Sequence, residues 1–103
     1  MIGDSALPTD APRHDANGLD LIRRRIRVRA WRRGRREMDL ILGEFADANV
    51  DMLEAEELAQ FEALLDADDD AAFGWFCVGA APAPHDGSLF ALILAYCARR
   101  RLL

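Results

Sequence analysis

The sequence predicts an all-α fold, a compact bundle of about five short helices. Apolar residues recur at the i, i+3, i+4 and i+7 spacing of a helix in successive segments of the chain. Stretches rich in glycine, proline and aspartate separate these segments, and no segment shows the alternating pattern of a β-strand. With 103 residues, the chain has room for one domain around one modest core.

The N-terminal stretch lacks the helical pattern. Residues 1–17 contain prolines and scattered aspartates without periodicity, which is typical of a disordered tail. We therefore predict a disordered tail at residues 1–17 and a single helical domain at residues 18–103. The stretch also lacks the features of a secretory signal. The longest apolar run, Leu89–Ala98, is shorter than the roughly 20 residues that cross a bilayer. We expect a cytoplasmic protein with no membrane insertion.

The first two predicted helices meet at Gly34. The first runs from about Leu19 to Arg33, with Asp15 or Asn17 as its candidate N-cap, and the second spans about 36–48. Glycine is favoured at helix ends and costs about 1 kcal/mol relative to alanine inside a helix, so Gly34 is predicted to be a joint. The predicted buried positions of these helices are Leu19, Ile22, Ile26, Ala30, Met38, Ile41, Leu42 and Phe45.

Three further helices are predicted in the second half of the chain. They span about 54–65, 70–78 and 88–101. The expected terminal residues are Asp68 or Asp69 before the fourth helix, Gly79 at its end and Ser88 as the cap of the fifth. The predicted buried positions are Leu58, Phe61, Leu65, Phe73, Trp75, Phe76, Leu89, Leu92, Ile93 and Tyr96.

Charge is distributed very unevenly. The chain has no lysine, so its 13 basic residues are all arginine, and its formal net charge is −5. Many arginines lie between Arg23 and Arg36, whereas most carboxylates lie between Glu37 and Asp70. The arginines of the first helix form either a solvated face or a recognition helix for nucleic acid. Because a small nucleic-acid module usually has a basic balance, we expect no nucleic-acid partner.

The segment around Gly34 is the best candidate for a binding site. Its candidate partner-binding residues are Arg33, Gly34, Arg36, Glu37 and Asp39. A carboxylate in the first turn of a helix is stabilised by the free N–H groups and the helix dipole, which alone would explain Glu37. Alternatively, the charged side chains around the joint are displayed for recognition. From the residues alone, we predict a monomeric helical module that binds a partner at this corner.

No pattern of a catalytic or metal site is evident. The run Asp66–Asp70 lacks the glycine and glutamate that an EF-hand calcium loop requires. Cys77 and Cys97 lack the spacing of a zinc site, and we interpret them as small apolar residues. His85 and Asp86 are adjacent, but no nucleophile is placed to use them, so we interpret both as loop surface. These patterns favour a binding protein over an enzyme.

Two blocks of the sequence resemble a known family. The segment Arg33-Gly34-Arg35-Arg36-Glu37 matches the RGxxE signature of the FAD assembly factor family of succinate dehydrogenase, the flavinators. The surrounding Trp31–Asp39 is similar to the extended motif of that family, and Phe61–Asp70, followed by Phe73 and Trp75, is similar to its second block. The resemblance covers roughly residues 18–103. The chain differs from the family at Asp70, where proline is common, and at Gly74, where a larger polar residue is common.

The resemblance implies a specific function. Members of this family are five-helix proteins that bind the flavoprotein subunit of succinate dehydrogenase, and in some bacteria that of fumarate reductase. They promote covalent attachment of FAD to a histidine of that subunit. The chain is therefore expected to be an assembly factor with no substrate of its own and no stably bound cofactor. On this view Arg33 pairs with a partner carboxylate or carbonyl, Gly34 allows close backbone approach, and Glu37 accepts hydrogen bonds from the partner.

Two other classes of function stay open at this point. An arginine-rich helical module that binds RNA or DNA would lose affinity strongly with salt. An antitoxin-like or ribosome-associated adaptor would also use an arginine face but would not need the spacing between Gly34 and Glu37.

Overall fold

The structure is an all-α bundle, as the sequence predicts. The computed structural model describes residues 18–102. Its helices are α1 (Leu19–Ala30), α2 (Arg36–Asn49), α3 (Ala55–Asp66), α4 (Asp69–Val78) and α5 (Ser88–Arg100). A short 3₁₀ helix at Val50–Met52 links α2 to α3, and no strand occurs between residues 18 and 102. The predicted tail at residues 1–17, with the candidate caps Asp15 and Asn17, lies outside the described residues.

Helix α2 lies at the centre of the bundle, where it packs against α1, α4 and α5. Its apolar face is almost completely buried, and Phe45 from this face contacts Phe61 of α3 with ring centroids 5.9 Å apart. Tilted aromatic pairs of this kind add to the free energy gained from burial alone. The predicted core positions confirmed as buried are Ile26, Ala30, Met38, Ile41, Leu42, Phe45, Leu58, Phe61, Leu65, Phe76, Leu89 and Ile93.

The predicted buried face of α5 is partly wrong. Leu92 keeps 44% of its surface exposed and Tyr96 is half-buried, whereas the core face of α5 consists of Leu89, Phe90, Ile93 and Cys97. Phe90 stacks on Phe76 of α4 with ring centroids 4.9 Å apart. With Phe90 on the buried side of α5, Leu92 lies on a more exposed side of the helix. The other predicted core residues that are only half-buried are Leu19, Ile22, Phe73 and Trp75.

The helix ends show which capping predictions hold. Asp68 caps α4, because its carboxylate accepts the Ala71 N–H at 3.0 Å. Gly79 ends α4 in the left-handed conformation, as predicted. The prediction that Ser88 caps α5 is wrong, since Ser88 is already the first helical residue. The Leu89 N–H in the first turn of α5 instead donates to Gln60 Oε1 of α3 at 2.9 Å, a tertiary contact with no local sequence signal.

The loop between α4 and α5 is tied to the bundle by His85. The His85 ring stacks on Trp75 with centroids 5.1 Å apart, and the residue is half-buried. The interpretation of His85 as loop surface is therefore wrong. No local sequence pattern predicts this stack, because it depends on how the loop folds back over α4. None of the helices in the described part of the chain is long and apolar enough to span a membrane.

The two thiols are expected to differ sharply in reactivity. Cys97 is buried in the core, and burial, with a smaller contribution from the nearby Glu44 carboxylate, raises the pKa of its thiol from 9.0 to about 11. Cys77 is an exposed free thiol. Since the thiolate is the reactive form, a disulfide reagent at pH 8 should label Cys77 of the folded protein and leave Cys97 unmodified. Mass spectrometry of the labelled protein checks this, and both sites should react in denaturant. Rapid labelling of Cys97 in folded protein would contradict the burial.

Candidate functional site

Gly34 lies at a sharp corner between α1 and α2. Helix α1 ends at Ala30, earlier than predicted, and α2 begins at Arg36, so residues 31–35 form an irregular connection. Gly34 has a φ of +83°, a left-handed conformation that favours glycine. A Cβ added at Gly34 would have no atom within 4 Å. The prediction of a joint is therefore confirmed, and the space in front of the joint is open. We call residues 31–39 the Gly34 corner.

Arg33 holds the Gly34 corner against the junction of α3 and α4. Its Nε donates to Asp69 Oδ1 at 3.0 Å, and its Nη2 donates to the Leu65 carbonyl oxygen at 2.6 Å. Only 13% of the side chain is exposed. A guanidinium with these internal partners is placed to support the corner, which differs from the partner-pairing role that the resemblance implies for Arg33.

Arg35 forms a second tie from the corner to α4. Its guanidinium pairs with the Asp70 carboxylate and lies over the Phe73 ring, 4.5 Å from the ring centroid. Arg35 was not among the predicted site residues. Its role depends on residues that lie far along the chain, in the second sequence block, so the RGxxE signature alone does not reveal it.

The remaining predicted site residues divide into an inner and an outer group. Asp39 belongs to the inner group, because its Oδ1 accepts the Arg33 backbone N–H at 2.8 Å and so stabilises the turn of the corner. Glu37 is 59% exposed in the first turn of α2, where its nearest cation is Arg35 Nε at 3.7 Å. Arg36 is exposed and makes no ion pair within residues 18–102. The outer side of the corner thus presents Gly34, Arg36 and Glu37 to solvent.

The arginines of α1 are mostly matched by carboxylates within the chain. Arg25 donates to Glu62 at 2.8 Å, and Arg29 donates to Asp66 at 2.6 Å. Together with Arg33–Asp69, these pairs form a row of ion pairs between the α1 side and the α3 side of the bundle. The row forms because the arginines and the carboxylates each recur about once per helical turn. On another side of α1, Arg23 donates to the carbonyl oxygens of Val50 and Leu53, and Arg27 pairs with Asp51. Most arginines of α1 therefore link this helix to other parts of the bundle.

Trp31 covers a glycine on α2. Its indole Nε1 donates to Asp47 at 3.1 Å, and a Cβ added at Gly43 would lie 2.3 Å from the Trp31 ring. Gly43 therefore lets the indole lie flat on α2 at the base of the Gly34 corner. Sequence reasoning missed this contact, although a glycine in the middle of an apolar helix was an available signal.

Removal of the Arg33 side chain is expected to destabilise the fold. Arg33→Ala would leave the Asp69 carboxylate and the Leu65 carbonyl oxygen without a partner in a mostly buried position. The expected loss is about 1–3 kcal/mol in the free energy of unfolding. Chemical denaturation measures it, with Arg24→Ala as the control because the Arg24 side chain is exposed. Equal stability of the two variants would show that Arg33 does not support the corner.

The comparisons with known proteins point to one family. The sequence model of the family described as "Flavinator of succinate dehydrogenase" matches residues 24–97, which include the Gly34 corner and the second block. The chain is 39% identical over 64 residues to the FAD assembly factor SdhE of Acetobacter pasteurianus (strain NBRC 105184 / IFO 3283-01). The matched region covers 62% of this chain and 58% of that relative, which is less than two thirds of the relative's length. No solved structure matches the chain.

Proposed function

Because the chain belongs to the flavinator family of succinate dehydrogenase, we propose that it is an assembly factor for a flavoprotein. It binds the flavoprotein subunit of succinate dehydrogenase, or that of fumarate reductase, and promotes covalent attachment of FAD there. The observation that carries this proposal is the Gly34 corner. Its inner side is fixed by Arg33, Arg35 and Asp39, while its outer side presents Gly34, Arg36 and Glu37.

The bond that forms joins the flavin to a histidine of the flavoprotein, so most of the chemistry belongs to the flavoprotein and its flavin. The chain contributes through differential binding. A partner that binds one conformation of the flavoprotein more tightly shifts the population toward that conformation. We propose that the corner binds the conformation in which the histidine and the flavin are correctly oriented. On this proposal the chain holds no FAD of its own and turns over no substrate.

Each outer residue of the corner has a defined task in this proposal. Gly34 has no side chain and open space around it, so a partner backbone can approach it closely. The exposed Glu37 carboxylate accepts hydrogen bonds from donors of the flavoprotein. Arg36, free of internal ion pairs among residues 18–102, pairs with a carboxylate or carbonyl oxygen of the partner.

Binding to nucleic acid is the less supported function. A recognition helix needs guanidinium groups that are free to reach phosphates. Most of the arginines of α1 are instead engaged with internal carboxylates and carbonyl oxygens, as in the pairs Arg25–Glu62 and Arg29–Asp66. The net charge of −5 also opposes approach to a polyanion.

The proposal is tested by reconstitution. The purified flavoprotein subunit without flavin is incubated with FAD, with and without the chain, and covalent flavin is measured by in-gel fluorescence after denaturation. We expect a faster rise of fluorescence when the chain is present, together with co-elution of the two proteins in size-exclusion chromatography. Equal rates with and without the chain, for both the succinate dehydrogenase and the fumarate reductase subunits, would refute the proposal.

A further inference from the structure

A second exposed surface extends from the Gly34 corner along α1 and shares Trp31 and Arg36 with the corner. Leu21, Arg24, Val28 and Trp31 follow the i, i+3, i+7 and i+10 spacing of one side of α1. Three of them are large apolar residues with unusual exposure, at 60% for Leu21, 48% for Val28 and 39% for Trp31. Together with Arg36 they form what we call the tryptophan face.

The indole of Trp31 connects the two helices of this face. It lies on Gly43 and bonds to Asp47. On α2, Arg36 shares one helical side with Gly43 and Asp47, at i, i+7 and i+11. The tryptophan face is therefore continuous from the exposed side of α1 to the first turn of α2, within the Gly34 corner.

The tryptophan face carries a net positive charge, with two arginines and one carboxylate. Arg24 and Arg36 are exposed and form no ion pair in the part of the chain that the structure describes. Arg23, Arg25 and their neighbours on the other sides of α1 do have internal partners. The carboxylate of Asp47, on the same side of α2 as Arg36, accepts the Trp31 N–H and keeps its negative charge, which balances one of the two arginines. The fold thus supplies acidic partners for the arginines of every side of α1 except this one.

We propose that the tryptophan face is a second contact surface for the flavoprotein and that it binds an acidic segment carrying an apolar side chain. This inference rests on the proposed function. Tryptophan and arginine are the residues most enriched where protein interfaces gain their binding energy. The apolar groups of Val28 and Leu21 would be covered by the apolar side chain, while Arg24 and Arg36 would pair with the carboxylates.

The same features disfavour two other occupants. A second copy of the chain, bound through the same face by a two-fold axis, would bring the arginines of both copies together. A nucleic acid would pair with the arginines but would gain little from the exposed aliphatic side chains of Leu21 and Val28. An acidic protein segment complements both the charge and the apolar surface.

The test compares the affinity of single variants for the flavoprotein subunit. Arg24→Glu and Val28→Asp each place a negative charge on the tryptophan face at an exposed position, and Arg101→Glu places one on an exposed residue after α5. We expect Arg24→Glu and Val28→Asp to raise the Kd about tenfold at low salt, with a smaller effect at high salt, because exposed charges are screened. The Kd of Arg101→Glu should stay near that of the wild type. Thermal melts establish that each variant is folded.

The fluorescence of Trp31 reports directly on contacts at the tryptophan face. In a Trp75→Phe background, Trp31 is the remaining tryptophan of the chain. Binding of the flavin-free flavoprotein should reduce the quenching of the Trp31 fluorescence by acrylamide, once the signal of the flavoprotein alone is subtracted.

The outcomes separate this inference from the proposed function. If Arg24→Glu and Val28→Asp bind the flavoprotein with the same Kd as the wild type, the tryptophan face is not a contact surface. The proposed function would still stand. Absence of any binding by the wild-type chain would overturn both. Loss of RNA binding in Arg24→Glu, with no change in flavoprotein binding, would assign the face to nucleic acid and also overturn the inference.

Discussion

Glu37→Ala is expected to abolish covalent FAD attachment while leaving the fold intact. The Glu37 side chain is 59% exposed, and its ion pair with Arg35 is long, at 3.7 Å. A carboxylate in the first turn of a helix contributes only about 0.3–1 kcal/mol when exposed, so the melting temperature should fall by a few degrees at most. The measurement is in-gel fluorescence of covalent flavin on the dehydrogenase subunit, in cells that lack their own assembly factor and express the variant.

Glu56→Ala is the matched control for this experiment. Glu56 is also an exposed carboxylate in the first turn of a helix, but it lies on α3, outside the Gly34 corner. It should support normal attachment. If folded Glu37→Ala also supports normal attachment, Glu37 serves only to stabilise α2, and the proposed function loses its main residue.

Gly34 needs a different control because any side chain there is strained. Its φ of +83° costs an alanine or arginine about 1–2 kcal/mol, so Gly34→Arg would lose stability as well as function. Gly79 has a φ of +86° and equally open surroundings. Gly34→Ala and Gly79→Ala should therefore lose similar stability, and only the former should impair FAD attachment. Equal attachment by both variants would argue against close approach of a partner at Gly34.

Phe61→Ala should have the largest effect on stability. Phe61 is completely buried and contacts Phe45 at the centre of the bundle. Truncation of a buried phenylalanine costs about 3–5 kcal/mol, much of the 5–15 kcal/mol that is typical of the whole stability of a protein. The free energy of unfolding from urea titration measures the loss.

Leu92→Ala is the control, because Leu92 is an apolar residue of a helix that keeps 44% of its surface exposed. It should cost well under half as much as Phe61→Ala. A small loss for Phe61→Ala would mean that the bundle can collapse around the missing ring.

The helices and much of the core could be predicted because their signals are local. An apolar residue at every third or fourth position defines the buried side of α2 without knowledge of its neighbours. Asp68 and Gly79 were predictable for the same reason, since a cap needs only its own helix end. For α5 several apolar sides were available, and the stack of Phe90 on Phe76 decided between them.

The corner at Gly34 could be predicted from the sequence, but the internal contacts of its residues could not. Arg33 and Arg36 are both arginines of the same charged segment, and the sequence does not show which of them has internal partners. They differ only because α3 and α4 bring Leu65 and Asp69 to Arg33 and nothing comparable to Arg36. The sequence does contain one signal for the internal ion pairs. Arg25, Arg29 and Arg33 recur at nearly the same spacing as the carboxylates with which they pair, Glu62, Asp66 and Asp69.

The ties of Arg33 and Arg35 to α4 have a consequence for how a partner is bound. A loop that is free in solution loses conformational entropy when it binds, and this loss reduces its affinity. In the folded chain, the contacts of Arg33 and Arg35 with α4 hold the Gly34 corner in place. The carboxylates of Asp69 and Asp70 that accept these contacts belong to the second sequence block. The two blocks thus form one preorganised element. If the proposed function holds, the first block contacts the flavoprotein, and the second block lowers the entropy that the corner loses on binding.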